Sequence, residues 1–486
     1  MTKTAVFIDI MSIQKYIFSS NQLKDNIGAS YIIESIFDEL KEKFEYSYIG
    51  GGNALIYFNT AADAKNAMKE WSEKLLQTAP GLVPFITVEE NFDTSVYAES
   101  REKIINKAIK QKNKFIPITV LSAFGITADC PRTGLSSEVF CEKCAGDDVS
   151  YLSSVSYTKI LKAEEANAKI KKDFNDILFN NYEFPDKFDE LGGTKGENNH
   201  IAVVHIDGND MGLTFKAQDS EKKMQELSAG LAEGIKNSFK QVLQKLLKLI
   251  ENPKVNEEIT LNGKFLPIRP IVLGGDDVTF VCDARIGLWC AVEFVKTFES
   301  LDICIANNLT VCGGISIVKT NYPFYRAYKM AEDLCAAAKK KRREKADDAD
   351  SSKGSYIDFH ISFGGMSDSI DRIRIKNYKS ADNKLLYKRP YKIEEIPKLL
   401  NCIKELKENV PQSKIKKFRE VLYSGEIAAT EFIKELGYRK NKLPLFSHHD
   451  EQIKGFSNGE SPYIDIIELM DFYPLSLITE ITEEAQ

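Results

Sequence analysis

Ile271-Val272-Leu273-Gly274-Gly275-Asp276-Asp277-Val278-Thr279-Phe280-Val281 sets nothing but glycine and acid between two strand-like runs. A tight hairpin needs residues that tolerate positive φ. Glycine supplies them, and its missing side chain lets a bulky anion such as a triphosphate approach the backbone. Two adjacent carboxylates repel unless divalent cations neutralise them, and hard oxygen ligands favour magnesium or manganese over zinc. Taken alone, the four residues read equally well as a solvated turn.

An upstream element tips the balance. His200-Ile201-Ala202-Val203-Val204-His205-Ile206-Asp207 is an apolar strand that ends on an acid, and Gly208-Asn209-Asp210-Met211-Gly212 must then turn. Strand, long helix, acidic hairpin is the order a palm-type nucleotidyl transferase needs, with the first strand and the hairpin side by side. Asp207, Asp276 and Asp277 then converge on two Mg2+ or Mn2+ ions roughly 3.5 to 4 Å apart. In the helix between them Met224, Leu227, Leu231, Ile235, Phe239, Val242 and Leu246 recur every three or four residues, with Asp219 or Ser220 as cap. Downstream, 286–305 reads as helix, 309–318 as strand, 324–345 as helix and 355–361 as strand. The outline βαββαβαβ predicts an α+β, ferredoxin-like palm, an antiparallel sheet with helices on one face and the other open to substrate. The later helix carries Ala336-Ala337-Ala338-Lys339-Lys340-Lys341-Arg342-Arg343. Lys339 is assigned to the triphosphate, with Gly208, Gly274 and Gly275 at the nucleotide; the other cations neutralise a helix C-terminus.

These segments, with Gly313-Gly314-Ile315-Ser316-Ile317-Val318, Ala331-Glu332-Asp333-Leu334 and Ile357-Asp358-Phe359-His360, together resemble the polymerase palm of the large subunit of type III CRISPR effector complexes. The resemblance implies conversion of ATP to cyclic oligoadenylate second messengers in antiviral defence, with RNA and other effector subunits as partners. The chain departs from the commoner Asp-Gly-Asp pattern at Asn209. GGDEF diguanylate cyclases share the architecture, but Asp277 stands where they have glutamate and Val278 where they have phenylalanine, so a cyclic dinucleotide synthase is the weaker alternative. A catalytically silent ATP-binding scaffold subunit is another, and three intact acids weigh against it.

The start of the chain repeats the plan. Thr4-Ala5-Val6-Phe7-Ile8-Asp9 is again an apolar strand ending in an acid, and Tyr48-Ile49-Gly50-Gly51-Gly52-Asn53-Ala54-Leu55-Ile56-Tyr57-Phe58 is again two strands around a glycine turn. The acid pair is missing, so this copy is structural or shapes one wall of a nucleotide pocket. Ser12-Ile13-Gln14-Lys15-Tyr16-Ile17 and Gly28-Ala29-Ser30 resemble the opening of the same CRISPR family, whose members carry two palms, the first degenerate. Two palms face to face create a cleft where two ATP molecules align for 3′-hydroxyl attack on an α-phosphate.

Cys141-Glu142-Lys143-Cys144 has the spacing of a zinc-binding pair, and Cys130 lies upstream in Cys130-Pro131-Arg132-Thr133-Gly134. The family often has a zinc-binding insert here; Thr133 stands where a fourth cysteine is expected, leaving three visible ligands. The remaining cysteines sit singly in apolar patterns, as reduced core residues of a cytosolic protein do. His448-His449-Asp450 is read as a polar loop: an HD-type nuclease needs several His and Asp on separate helices, and the chain has 5 histidines in all. A shortened family member without that nuclease domain is therefore expected.

A chain of 486 residues, 43% of them hydrophobic, has room for two to four domains. The division read from it is a degenerate palm at 1–91, a helical insert with the zinc knuckle at 92–195, the catalytic palm at 196–365 and a helical C-terminal domain at 366–486. No apolar run nears the roughly 18 residues of a membrane span and no signal peptide is visible, so a cytoplasmic protein is expected. A net charge of −6 excludes nucleic-acid binding over the whole surface. Local contacts remain open at 103–114 and 339–345, as does association between copies of the chain.

Overall fold

The computed structural model describes residues 2–114, 127–141, 151–178, 182–191, 199–259, 261–301, 309–344, 354–364 and 368–477. Cys144 and the expected boundaries at 195 and 365 lie outside the described residues. Strands β1 (Thr2–Met11), β2 (Tyr46–Gly50), β3 (Asn53–Phe58) and β4 (Val83–Asp93) form an antiparallel sheet in the order β2-β3-β1-β4. Strands β5 (Val139–Phe140) and β6 (Tyr151–Leu152) make a short ribbon. Strands β7 (His200–Gly208), β8 (Ile268–Gly274), β9 (Asp277–Asp283), β10 (Val311–Lys319), β11 (Tyr356–Ile361) and β12 (Tyr391–Lys392) build the larger sheet, ordered β12-β11-β10-β7-β9-β8. Within it, β8-β9-β7-β10 repeats the order of the first sheet. The chain is α+β with two palms, as expected, but the second sheet is mixed: β10 and β11 run parallel, joined by the crossover helix Phe324–Glu344.

Alternation along β7 divides two cores. Ala202, Val204 and Ile206 face the helices Glu221–Glu251 and Gly287–Glu299. The long helix begins where Ser220 accepts from the Lys223 N–H. Ile201 and Val203 face the other way, into a core shared with Val6 and Ile8 of the first sheet and with Phe324, Tyr328 and Ala331. The second face is therefore not left open, which corrects the one-sided palm read from the sequence. Gly314 explains how a helix fits there: a Cβ on it would stand 2.0 Å from the Ala331 carbonyl oxygen, so only glycine allows this approach. The first palm clamps the start of that helix. Phe18 stacks on Tyr328 with ring centroids 3.7 Å apart, and Asn21 Oδ1 accepts from the Phe324 N–H at 3.0 Å.

The helix Tyr97–Lys112, assigned from the sequence to the insert, packs Tyr97, Ile104 and Ala108 on Ala5, Phe7 and Leu55 of the first sheet. It occupies the place that Phe324–Glu344 takes in the second palm. The C-terminal helices Ile396–Asn409, Gln412–Tyr423 and Glu426–Tyr438 fall where their periodicity puts them, and their core is continuous with the second palm's. Buried charge fastens that junction. Arg389 lies 3.0 Å from Glu468 and 3.4 Å from Asp465, all wholly buried, and Arg374 holds Asp358 of β11 through bonds of 2.6 and 2.8 Å. Among the described residues no helix is long and apolar enough to cross a membrane.

Candidate functional site

The hairpin between β8 and β9 closes with two residues, since Gly274 pairs with Asp277. Gly275 has φ +69 and Asp276 does not share it, the pattern of a turn whose first position alone demands glycine. Register then brings the acids together. Asp207 at the end of β7 pairs with Asp277, and the Gly208 N–H donates to the Asp276 carbonyl at 3.1 Å. Asp207 and Asp277 are thus a non-hydrogen-bonded pair, the closer of the two kinds, with Cα atoms about 4.5 Å apart. Gly208 is required there: a Cβ would meet Met211 Cγ at 2.5 Å and Asp276 Cβ at 3.2 Å.

Electrostatics follow from that crowding. Burial raises the carboxyl of Asp276, and the charge of Asp207 raises it further. Asp277 is pushed up to about 7, by burial first, then by Asp207 and Asp276. Lys339 relieves part of the repulsion, ion-pairing with Asp207 and donating to the Gly208 carbonyl at 3.0 Å. Arg342, one turn on, donates to Asp210 at 2.9 Å. Asp210 adopts φ +56 and is exposed, while Asn209 donates to Thr310 Oγ1 at 3.0 Å. Neither residue of that turn supplies a fourth acid to the cluster.

Among the described residues, His205, Asp207 and Cys335 form the group whose ligand atoms all lie within 4.8 Å of one another. It is a poor metal centre in this form. His205 shares its Nδ1 with Thr279 Oγ1 at 3.2 Å and burial lowers its pKa, while the Cys335 thiol donates to the Cys312 carbonyl at 3.1 Å and burial raises it well above the ordinary range. Asp276 and Asp277 stand outside that group, with the Lys339 ammonium beside Asp207. As a donor set the three carboxylates fit a hard divalent cation: their mutual repulsion calls for a counter-charge, and Lys339 now supplies one to Asp207.

The first palm keeps the frame of this site. Asp9 pairs with Asn53 and the Ile10 N–H donates to the Gly52 carbonyl at 2.9 Å, the same register as Asp207 with Asp277. Lys112 ion-pairs with Asp9 as Lys339 does with Asp207. The two hairpin tips touch, for a Cβ on Gly275 would lie 3.7 Å from Gly51 Cα. The Gln14 side chain also hydrogen-bonds Asp277 across the palms. Sequence reading quoted Gln14 only within the opening motif; nothing in a linear sequence shows which side chains cross between domains.

Cys130 and Cys141 share a small buried cluster with Leu152 and Ile160. Burial pushes the Cys130 thiol up, yet hydrogen bonds from the Thr133 hydroxyl, the Ser153 and Arg132 backbone and the Ser153 hydroxyl bring it down to about 6. Thr133 thus serves the sulfur that a fourth cysteine was expected to accompany. Cys141 is disulfide-bonded, so zinc could engage it only after reduction.

Residues 200–347 match the family described as Cas10/Cmr2, second palm domain. That segment is a palm of this kind. No curated protein matches the chain. Among solved structures, Csm1 of T. onnurineus superposes with a TM-score of 0.58 at 16% identity, covering 97% of this chain and 70% of that one. A Csm1-Csm4 cassette in complex with AMPPNP gives 0.57 at 15%, covering 98% and 70%, and one in complex with cA4 gives 0.57 at 14%, covering 99% and 70%. At these identities the likeness extends to the fold.

Proposed function

We propose that the chain, whose second palm is of the Cas10/Cmr2 kind, is a nucleotidyl transferase that joins ATP into cyclic oligoadenylates. The observation that carries this reading is the register of Asp207 against Asp277 beside Asp276, with Lys339 at hand. AMPPNP and cA4 bound to solved Csm1-Csm4 cassettes supply the substrate class and the product class. In the reaction the 3′-oxygen of one ATP attacks the α-phosphorus of another; a P–O bond forms, pyrophosphate leaves, and the hydroxyl proton is lost to solvent or a nearby base.

Asp207, Asp276 and Asp277 would hold magnesium or manganese, which supplies Lewis-acid polarisation of the phosphoryl oxygens and acidifies the attacking hydroxyl. Gly274 and Gly275 present bare backbone, so a triphosphate can lie against the hairpin. Lys339 neutralises polyphosphate charge once Asp207 has exchanged it for another cation. Phe18, Tyr328 and the touching hairpin tips fix the palms relative to each other, so two nucleotides would meet at a set separation. A second subunit of the Csm4 type, RNA, and further copies of the chain are the partners this reading admits.

A binding-only subunit is the second reading, favoured by the ion pair that engages Asp207. Purified protein incubated with each NTP and Mg2+ or Mn2+, with and without RNA, separates the two. Cyclic or linear oligoadenylates by mass spectrometry, with pyrophosphate released, support the transferase. ATP binding with no pyrophosphate supports the scaffold, and a GTP-derived dinucleotide supports the GGDEF-like alternative.

A further inference from the structure

The segment after β1 is wedged between two hairpins. Ser12 takes φ +55, a conformation that L side chains rarely adopt, and so turns the chain toward the second palm. Ile13 then fills the space left by Gly52, whose Cβ would stand 2.0 Å from Ile13 Cδ1. With Ile13 pinned on the first hairpin, the next residue reaches the second. Gln14 is half-buried, and its side chain hydrogen-bonds the carboxylate of Asp277. Contact between Gly51 and Gly275 holds the two tips at the distance this bond needs.

We propose that Gln14 is a positioning residue of the second palm: its amide N–H, carried across from the first palm, donates to the Asp277 carboxylate and fixes the direction in which that group faces. The choice of residue follows from the surroundings. Asp277 already lies near Asp276, Asp207 and Lys339; a further acid would repel it, and a further cation would compete with the ion it is to bind. A neutral donor orients the carboxylate and leaves its charge intact. The first palm, with Gly52 and Asn53 in place of acids, thus contributes to chemistry on the second. This inference rests on the reading of Asp277 as a metal ligand.

The test uses the full chain with Gln14→Met, which keeps length and loses the donor, and Gln14→Asn, which keeps the amide and falls one methylene short. Asp277→Asn is the control. Mn2+ binding is read by the EPR signal of the free ion, alongside kcat and KM for ATP and a thermal melt. Both Gln14 variants should bind Mn2+ about ten- to a hundredfold more weakly, the usual loss when a ligand's orienting partner is removed. The kcat should fall while KM for ATP and the melting temperature stay near the parent's, a combination that simple loss of structure would not give. Parent-like Mn2+ affinity in both variants, with Asp277→Asn impaired, overturns the proposal and leaves the acids' assignment standing. Should Gln14→Met fail to fold, Gln14→Asn decides. Parent-like affinity in Asp277→Asn sinks the assignment of the acids, and this proposal with it. A parent that binds Mn2+ and makes no product sinks the transferase reading, while the Mn2+ comparison still decides Gln14.

Discussion

The two hairpins of this chain share a sheet position, a register and a lysine, and differ in one turn. In the first, Gly51 and Gly52 both have positive φ, at +58 and +77, so both turn positions demand glycine. In the second, only Gly275 does, which frees the next position for Asp276. Loss of the acid pair in the first palm is thus tied to backbone geometry as well as to side-chain choice. Asp9 remains, matched by Lys112, and the pair closes a site that lacks the other carboxylates. The difference teaches that a palm frame can persist while its chemistry is removed at two adjoining residues.

The sharpest way to break the comparison is Asp276→Ala with Asp277→Ala. Product formation should fall by about a thousandfold or more while the circular dichroism spectrum and melt are retained, because the change removes charge repulsion and little packing. A double variant that still makes oligonucleotides would show the second hairpin to be as inert as the first. Smaller effects separate the two lysines. Lys339→Ala should lower kcat/KM for ATP by about ten- to a hundredfold, and Lys112→Ala by about twofold or less, in the same mass-spectrometric assay.

Titration sharpens the contrast further. With Asp277 near 7, Mn2+ affinity should rise about tenfold from pH 6 to pH 8 in calorimetry, as the carboxyl gives up its proton to the ion. The metal-free fold should behave oppositely. Because the folded value is raised, protonated Asp277 adds stability that is full below the unfolded value of about 3.9 and is lost as pH climbs through about 7. Asp277→Asn should keep that stability. The mildest test rebuilds the first hairpin. Gly52→Asp with Asn53→Asp should cost about 1–2 kcal/mol in denaturant titration, since φ +77 strains a side chain that would also press on Ile13. It should restore no activity to a chain lacking Asp276 and Asp277.

Much of this was legible in the linear chain because it was local. Alternation in His200-Ile201-Ala202-Val203-Val204, the spacing of Leu227, Leu231 and Ile235, and glycine beside Asp276 each report on their own neighbourhood. The C-terminal helices were legible for the same reason. What failed was long-range. Periodicity does not say that Phe324–Glu344 crosses the second face of the sheet, because that depends on Gly314 meeting Ala331, nor that β11 runs parallel to β10. The pairing of Lys339 with Asp207 and of Gln14 with Asp277 joins residues 132 and 263 positions apart, which no local pattern encodes. The helix Tyr97–Lys112 was placed in the insert because its sequence reads as a plain solvated helix, whereas Ile104 and Ala108 fill the first sheet.

The shared core beneath the palms bears on how the molecule can be handled. Ile201, Val203, Ile271, Val281 and Val318 sit with Val6 and Ile8 in one cluster, each at most 6% exposed. Cutting the chain before β7 would hand part of that surface to water, and Phe18 would leave the ring of Tyr328 bare. A fragment holding the catalytic hairpin alone is thus a candidate for clumping in solution, and a silent fragment would report on solubility before it reported on chemistry.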